Sequence, residues 1–362
     1  AKKFVTPLTF ETLSSNAVLD DTNESWVNEH NHIKIGDWAD ILLIAPVSAN
    51  TLAKLANGIA DTMLTQVALA FNGQKILAPS ANTNMLFNPI TQRNMDVLQN
   101  ANYKILQTQT KELACKTRGD GAMAEPLEIL YVTARALLQE EFWQGRSVVI
   151  TGGGTVEKID DVRFISNFSS GKMASALATA LYLRGADVTL IASRYESDLA
   201  KNIELIKIQS SQEMQSALDA TLRNAKRSAT KTPYLFMAAA VSDYLPHETK
   251  SGKLKKEALG ENFSLEMRKN RDILNAVDKS GIIAIGFKAE MDATNATTNA
   301  TKMLESKNLD GVCLNVLKDS DSFGTETNAI EFITKESTST IASASKISVA
   351  FSIAQIAKNI KE

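Results

Sequence analysis

Apolar residues in this chain are gathered into short runs, separated by longer stretches in which they recur every three or four positions. In the first part, DILLIAP (40–46), QKILAP (74–79) and YKILQ (103–107) read as buried strands. Between and after them come SANTLAKLANG (48–58), opened by Ser48 as an N-cap, ADTMLTQVALAF (60–71), which continues helical, and NPITQRNMDVLQNA (88–101). A polar, glycine-containing loop, ACKTRGDGAMAEP (114–126), leads into a helix from Pro126 to about Gln139. Ahead of these elements, AKKFVTPLTFETLSSN reads as a loop and helix with no strand before it. An α/β unit rarely starts this way, so its opening strand and helix are expected to be missing.

The pattern restarts after EEFWQGR (140–146), the expected domain boundary. Strand SVVIT (147–151) is followed by a glycine loop and the helix GKMASALATALYLRG (171–185). Then come strands DVTLIAS (187–193) and IELIKIQ (203–209), helix SQEMQSALDATLRNA (211–225) and strand YLFMAAA (234–240). A long polar segment precedes strand IIAIGF (282–287), helix TKMLESKN (301–308) and strand DGVCLN (310–315). A hairpin-like NAIEFIT and a last helix, ISVAFSIAQIAKNI, close the chain. Strands alternating with helices predict two α/β domains, 1–142 and 143–362, each a parallel sheet with helices on both faces.

Composition adds exclusions. With 44% hydrophobic and 22% charged residues and a formal net charge of −2, the chain reads as globular and offers no bulk electrostatic case for nucleic acid or membrane partners. No apolar run approaches the roughly 20 residues that span a bilayer, and the first residues lack a signal peptide's apolar core. Two cysteines, Cys115 and Cys313, one in each half, suit a reducing cytoplasm. The histidines are His30, His32 and His247.

Two stretches carry candidate chemistry. Gly152, Gly153 and Gly154 follow a strand, but Thr155, Val156 and Glu157 come next, so the third glycine of a dinucleotide loop is absent. SSGKM (169–173) lacks the earlier glycine of a Walker loop. Ser169, Ser170 and Gly171 nevertheless precede a helix whose N-terminus can hold an anion; equally, Ser170 can cap the helix while the glycines make a tight turn. After YLFMAAA, Asp243 and then Lys253, Lys255 and Lys256 lie past a strand's carboxyl end. There they could hold Mg²⁺ and a polyphosphate, or be solvated surface.

Taken in order, GGGTVEKIDDVRFISNFSSGKM (152–173), AAAVSDY (238–244), KLKK (253–256), KNRDIL (269–274), IGFKAE (285–290) and KNLDGVCLN (307–315) resemble phosphopantothenate–cysteine ligase. HIKIGDWADILLIAPVSANTLAKLANGIAD (32–61), PSANTNM (79–85) and ACKTRGDGAMAEP resemble the flavin-dependent phosphopantothenoylcysteine decarboxylase that precedes that ligase in bacterial bifunctional coenzyme A biosynthesis proteins. The resemblance implies a flavodoxin-like flavoprotein domain, N-terminally incomplete, followed by a Rossmann-like parallel-sheet ligase domain. It implies CTP-dependent ligation of 4′-phosphopantothenate with cysteine through an acyl-cytidylate. FMN-dependent decarboxylation of the product to 4′-phosphopantetheine follows.

By the same resemblance His32 takes the thiol proton, Asn82 orients the substrate carboxylate, and Cys115 donates a proton from a mobile flap. Ser48 and Asn50 lie beside FMN, while Ser48 also serves as a plain cap. Here Ala81, Lys116 and Ala122 replace the family's Met, Gly and Arg. In the ligase half Asn167 grips the acyl-cytidylate, Asp243 lies near CTP and Mg²⁺, and Lys253 neutralises nucleotide charge. Met237, Ala238 and Ala239 lie where the cytosine is read, and Phe287 lines the pocket. Asn270, Arg271, Asp272, Ile273 and Leu274 match a KNPDI segment, with Arg271 in place of Pro. Lys307 matches the second of two lysines; the first falls on Met303, with Lys302 adjacent. A cytoplasmic homo-oligomer is implied, with trimer contacts through the first domain and dimer contacts through the second. The alternative is ligase activity alone, the first domain being a non-catalytic oligomerisation or flavin-binding scaffold.

Overall fold

A computed structural model describes residues 2, 5–27, 30–112, 116, 118–255, 261–317 and 324–361. They form two compact units, residues 1–137 and 138–362.

In the first unit, α1 (Pro7–Ser14) and α2 (His32–Trp38) precede β1 (Ile41–Val47). There follow α3 (Ala49–Ala56), α4 (Met63–Ala70), β2 (Gln74–Pro79), α5 (Thr83–Leu86), α6 (Pro89–Asn100) and β3 (Tyr103–Ile105). The last elements are β4 (Gln109–Glu112), β5 (Arg118–Ala122) and α7 (Pro126–Leu138). Strands β1, β2 and β3 pair in parallel in that order. Pleating sends alternate β2 side chains to opposite faces. Leu77 joins Ile44, Leu52 and Leu98 in one core, while Ile76 and Ala78 join Leu106 and Ile129 in the other. Each fully buried Leu or Ile stabilises by roughly 1.5–3 kcal/mol.

Two local expectations are corrected. ADTMLTQVALAF does not continue the preceding helix: α3 ends at Ala56 with Asn57 as its C-cap, Gly58 adopts φ +68°, and Thr62 opens α4 in a reciprocal capping arrangement with Thr65. The polar loop before α7 is in part a hairpin, with Gln109–Glu112 antiparallel to Arg118–Ala122. Gln109–Glu112 carries no apolar alternation, so only its backbone ladder marks it as a strand.

The second unit starts with β6 (Ser147–Gly152), β7 (Val156–Lys158), β8 (Phe164–Ser166), α8 (Lys172–Leu183), β9 (Asp187–Ala192) and β10 (Glu204–Lys207). It continues with α9 (Ser211–Ser228), β11 (Tyr234–Met237), β12 (Tyr244–Pro246), β13 (Met267–Lys269), α10 (Ile273–Ala276) and β14 (Ile283–Glu290). It ends with α11 (Ala296–Ser306), β15 (Gly311–Val316), β16 (Thr327–Ile333), β17 (Thr338–Ser345) and α12 (Lys346–Ala357). Its main sheet has the order β10-β9-β6-β11-β14-β15-β16-β17. The first six strands are parallel and the last two pairings antiparallel. The parallel part is therefore a 3-2-1-4-5-6 Rossmann sheet whose order reverses between β6 and β11. Val149, Leu235, Ala284 and Val312 bury one face against α9, α10 and α11.

That reversal fixes where a ligand can lie. Helices leaving β6 and β11 cover opposite faces, so a crevice opens beyond the carboxyl ends of these two strands. The glycine loop and Ala238–Ala240 follow those ends and meet in a bridge between Gly154 and Ala240.

Candidate functional site

The carbonyls of the glycine loop tie two strand ends together: the Ala240 N–H donates to the Gly153 carbonyl at 2.9 Å, and Thr155 N–H to the Ala240 carbonyl at 3.1 Å. Ser193 Oγ donates to the Gly154 carbonyl at 2.7 Å. Glycine is needed for close approach. A Cβ on Gly154 would lie 2.5 Å from the Asn167 carbonyl oxygen, and Gly153 adopts φ +77°. The loop thus packs the Asn167 strand end onto the Ala240 strand end.

The crevice has two lobes that share Ala239 and Phe287. The first lies under the start of α8, where Ser169, Ser170 and Gly171 face Lys288, Asn328 and Lys346. Gly171, at φ +77°, is the N-cap and supplies no side-chain hydrogen bond, although the Lys172 N–H reaches Ser170 Oγ at 3.4 Å. The first-turn N–H groups and the α8 dipole therefore face an anion-sized space. Lys172 pairs with Glu326. Burial and the neighbouring Lys172 push the Lys346 ammonium below its usual range.

The second lobe has a cavity volume of about 680 Å³ and is the more polar. Met237, Asp243, Arg271, Asp272, Ile273, Leu274, Phe287 and Lys307 line it, as do Ser242, Asn270 and Met303. Asn270 is fastened across its floor: Nδ2 donates to the Ser242 carbonyl at 2.7 Å and the N–H to the Asp243 carbonyl at 2.7 Å. Asp272 caps α10 through the Asn275 N–H at 3.0 Å and pairs with Lys307 at 2.9 Å. Burial opposes ionisation of Asp272, but the Asn275 N–H and the Lys307 ammonium outweigh it and hold the carboxyl below its ordinary value. Ser242 is buried and its hydroxyl has no partner among the described residues. Burying an unpaired hydroxyl is costly.

The remaining ligase-half candidates fall around this cleft. Asn167 follows β8 and is not among the residues lining either lobe; its amide donates at 3.2 Å to the carbonyl of Val241, which lines the second. Ala238 lines the first lobe. Met303 stands over Gly286, where a Cβ would meet its Cε at 2.8 Å. The adjacent Lys302 is exposed and is not among the residues lining either lobe. Lys253 lies outside both linings, in an exposed segment bonded to the turn after β7. Among the described residues no group of three or more His, Cys, Asp or Glu side chains is arranged to hold a metal ion. Ser242, Lys172 and Lys346 escaped the sequence reading: the first sits within AAAVSDY without a distinguishing signal, and the lysines converge only through folding.

In the first unit, Ser48 N-caps α3 just beyond β1, accepting from the Thr51 N–H at 3.2 Å, and Asn50 follows it, exposed. Asn82 N-caps α5 just beyond β2, accepting from the Asn84 N–H at 3.0 Å. The Ser80 N–H bonds the Val47 carbonyl at 3.0 Å, which brings the two strand ends together. The β4–β5 hairpin docks on the same loop through Ala81 N–H to Gly121 carbonyl at 3.0 Å and Thr83 Oγ1 to Asp120 carbonyl at 2.6 Å. His32 begins α2, its Nδ1 3.0 Å from Glu24 Oε1 and its ring edge-on to Trp26. Cys115 lies outside the described residues, as does Lys256.

Fold and cleft define a flavoprotein unit joined to a Rossmann-ordered unit. Residues 143–360 match the family described as DNA/pantothenate metabolism flavoprotein C-terminal domain, and residues 1–138 match the Flavoprotein family. The coenzyme A biosynthesis bifunctional protein CoaBC of Haemophilus influenzae is 37% identical over 97% of this chain and 86% of its own length. That of Bacillus subtilis is 37% identical over 98% and 87%. A cysteine/cysteine sulfinic acid decarboxylase from an unknown prokaryotic organism is 38% identical over 91% and 92%. The chain belongs to the family of bifunctional coenzyme A biosynthesis proteins.

Proposed function

We propose that the second unit joins 4′-phosphopantothenate to cysteine at the expense of CTP, and that the first decarboxylates the product with FMN. The observation that carries the ligase reading is the two-lobed cleft at the β6–β11 reversal, with cations in each lobe. The substrate phosphate fits the first lobe, where the α8 N–H groups and Lys346 favour a dianion. The nucleotide fits the second, with Met237–Ala239 along one edge and Phe287 as an apolar wall. The substrate carboxylate oxygen then attacks the α-phosphorus near Ala239 and Asn167, and pyrophosphate leaves. Lys307, Arg271 and Lys253 offset the charge that collects on the leaving group. The cysteine amine next attacks the acyl carbon, losing a proton as CMP departs. The Asn167 amide is suited to hold the acyl-cytidylate carbonyl during both steps. Asp243 is a single carboxylate, which suits Mg²⁺ delivered on the nucleotide phosphates.

In the first unit the hydroxyl and amide groups of Ser48, Asn50 and Asn82 fit the polar edge of a flavin, which when bound would take up the two electrons released in thiol oxidation and give them back to the enethiol left by loss of CO₂. His32, oriented by Glu24, takes the thiol proton, and Asn82 orients the carboxylate that leaves as CO₂. Exposed Val27 (92%), Trp38 (82%) and Leu13 (80%) on this unit support self-association. No helix among the described residues is long and apolar enough to cross a membrane; a cytoplasmic location is part of the same reading.

The test is a mass-spectrometric assay of the chain with 4′-phosphopantothenate, cysteine, CTP, Mg²⁺ and FMN. 4′-Phosphopantetheine is the expected product. Accumulation of 4′-phosphopantothenoylcysteine would leave the ligase standing alone, and no product of either kind would overturn both assignments. Decarboxylation of free cysteine in the same mixture would favour the chemistry named for the 38% identical relative.

A further inference from the structure

Two ribbons of the second unit lie against each other without joining its main sheet. One is the turn at residues 158–163, between β7 and β8; the other is residues 249–254, after β12. At their centre is Asp160, whose side chain is fully buried. Its Oδ1 accepts from the Val162 N–H at 2.8 Å and the Arg163 N–H at 2.6 Å, an Asx-type turn. Its Oδ2 accepts from the Leu254 N–H at 3.1 Å. Arg163 lies 3.5 Å from the same carboxylate and donates from Nη2 to the Leu254 carbonyl at 3.0 Å.

The rest of the contact is equally polar. Asp161 Oδ2 accepts from the Gly252 N–H at 2.6 Å, and the Asp161 N–H returns to the Gly252 carbonyl at 3.3 Å. The Lys250 N–H bonds the Ile159 carbonyl at 3.0 Å, and Thr249 Oγ1 bonds the Lys158 carbonyl at 3.2 Å. Lys253 is thus bracketed: both residues flanking it, Gly252 and Leu254, are bonded to the Asp160–Asp161 turn. The same turn runs through β8 into Asn167. A flexible lysine gains most as a phosphate ligand when its backbone is already fixed, because less freedom is lost on binding.

We propose that Asp160 is a positioning residue of the nucleotide site, fixing the Lys253 backbone relative to Asn167 so that the ammonium is pre-placed for the polyphosphate. This rests on Lys253 being a nucleotide ligand, as in the proposed function. A carboxylate that only stabilised the fold would affect all substrates alike; one that acts through Lys253 affects CTP.

The test is a double-mutant cycle on the whole chain, followed by pyrophosphate release with CTP and 4′-phosphopantothenate. Lys253→Gln should raise the KM for CTP about tenfold, the worth of one charge-assisted hydrogen bond. Asp160→Asn should raise the same KM by up to that factor and leave the KM for 4′-phosphopantothenate within about twofold. The double variant should be no worse than Lys253→Gln alone. Effects that multiply in the double variant overturn the positioning role and leave Lys253 as a ligand. Unchanged CTP kinetics in Lys253→Gln overturn the reading of that lysine and the inference with it. If Asp160→Asn does not fold, the exposed Asp161→Ala, which removes the Gly252 bond, must show the same non-multiplying effect; an unchanged KM for CTP there also overturns the proposal.

Discussion

Asp272 and Lys307 meet at 2.9 Å across the larger lobe, joining the cap of α10 to the residue that ends α11. The pair keeps the carboxyl ionised and holds the ammonium at the lobe wall. Because the folded state depresses the Asp272 pKa, its stabilising contribution is present above the unfolded value, near 3.9, and is lost as pH falls through the folded value. Asp272→Asn should therefore unfold at lower urea concentration than the parent at pH 7, and the gap should narrow below about pH 4. A gap that is constant from pH 7 to pH 3 would refute this role. Lys307→Ala should raise the KM for CTP about tenfold or more and leave decarboxylation of supplied 4′-phosphopantothenoylcysteine unchanged.

Ser242 offers the opposite sign for stability and binding. Its buried hydroxyl has no partner among the described residues, so Ser242→Ala removes a desolvation cost. The variant should be as stable as the parent or up to about 1 kcal/mol more stable. If a nucleotide satisfies that hydroxyl, CTP affinity should fall several-fold at the same time. Calorimetric melting with CTP titration measures both; a destabilised variant with unchanged affinity would show that the hydroxyl serves the fold alone.

The parts of this site visible in the sequence are those that directly follow strands. SVVIT and YLFMAAA are apolar runs that can only be buried, and Ala239, Asp243 and Asn167 lie within a few residues of strand ends. The Asp160 clasp was invisible because Arg163 and Leu254 are 91 residues apart and Asp160 alone reads as a turn residue. The pairing of Tyr244–Pro246 with Met267–Lys269 was hidden for the same reason: three-residue strands carry no periodicity. In the first unit, the break between α3 and α4 turned on Gly58 in left-handed conformation and on Thr62, local signals that an unbroken apolar pattern outweighed.

Gly171 separates backbone strain from collision. Its φ of +77° alone costs a side chain about 1–2 kcal/mol, and a Cβ there would also run into the Arg194 carbonyl oxygen. Gly145, at φ +67°, has nothing within 4 Å of an added Cβ. Gly145→Ala should cost only the strain and leave ligation intact. Gly171→Ala should cost more and abolish ligation, because the α8 N-terminus must move to relieve the clash. Equal melting shifts for the two variants would mean that the Arg194 segment yields freely.

Glu24 tests whether the two units work separately. It is the described carboxylate partner of His32, at 3.0 Å, and an imidazole that must take a proton in one direction gains from a partner that fixes its orientation. Glu24→Gln keeps the size and an acceptor oxygen but removes the charge. Decarboxylation of supplied 4′-phosphopantothenoylcysteine should fall on the order of tenfold, part of the roughly 10²–10⁴ that a positioned base contributes. Bound flavin, read from its visible absorbance, should be unchanged, and so should pyrophosphate release by the ligase. Loss of flavin together with activity would make Glu24 a structural support of the cofactor pocket. Loss of ligation as well would mean that the N-terminal unit is required by the C-terminal one, against the division of labour proposed above.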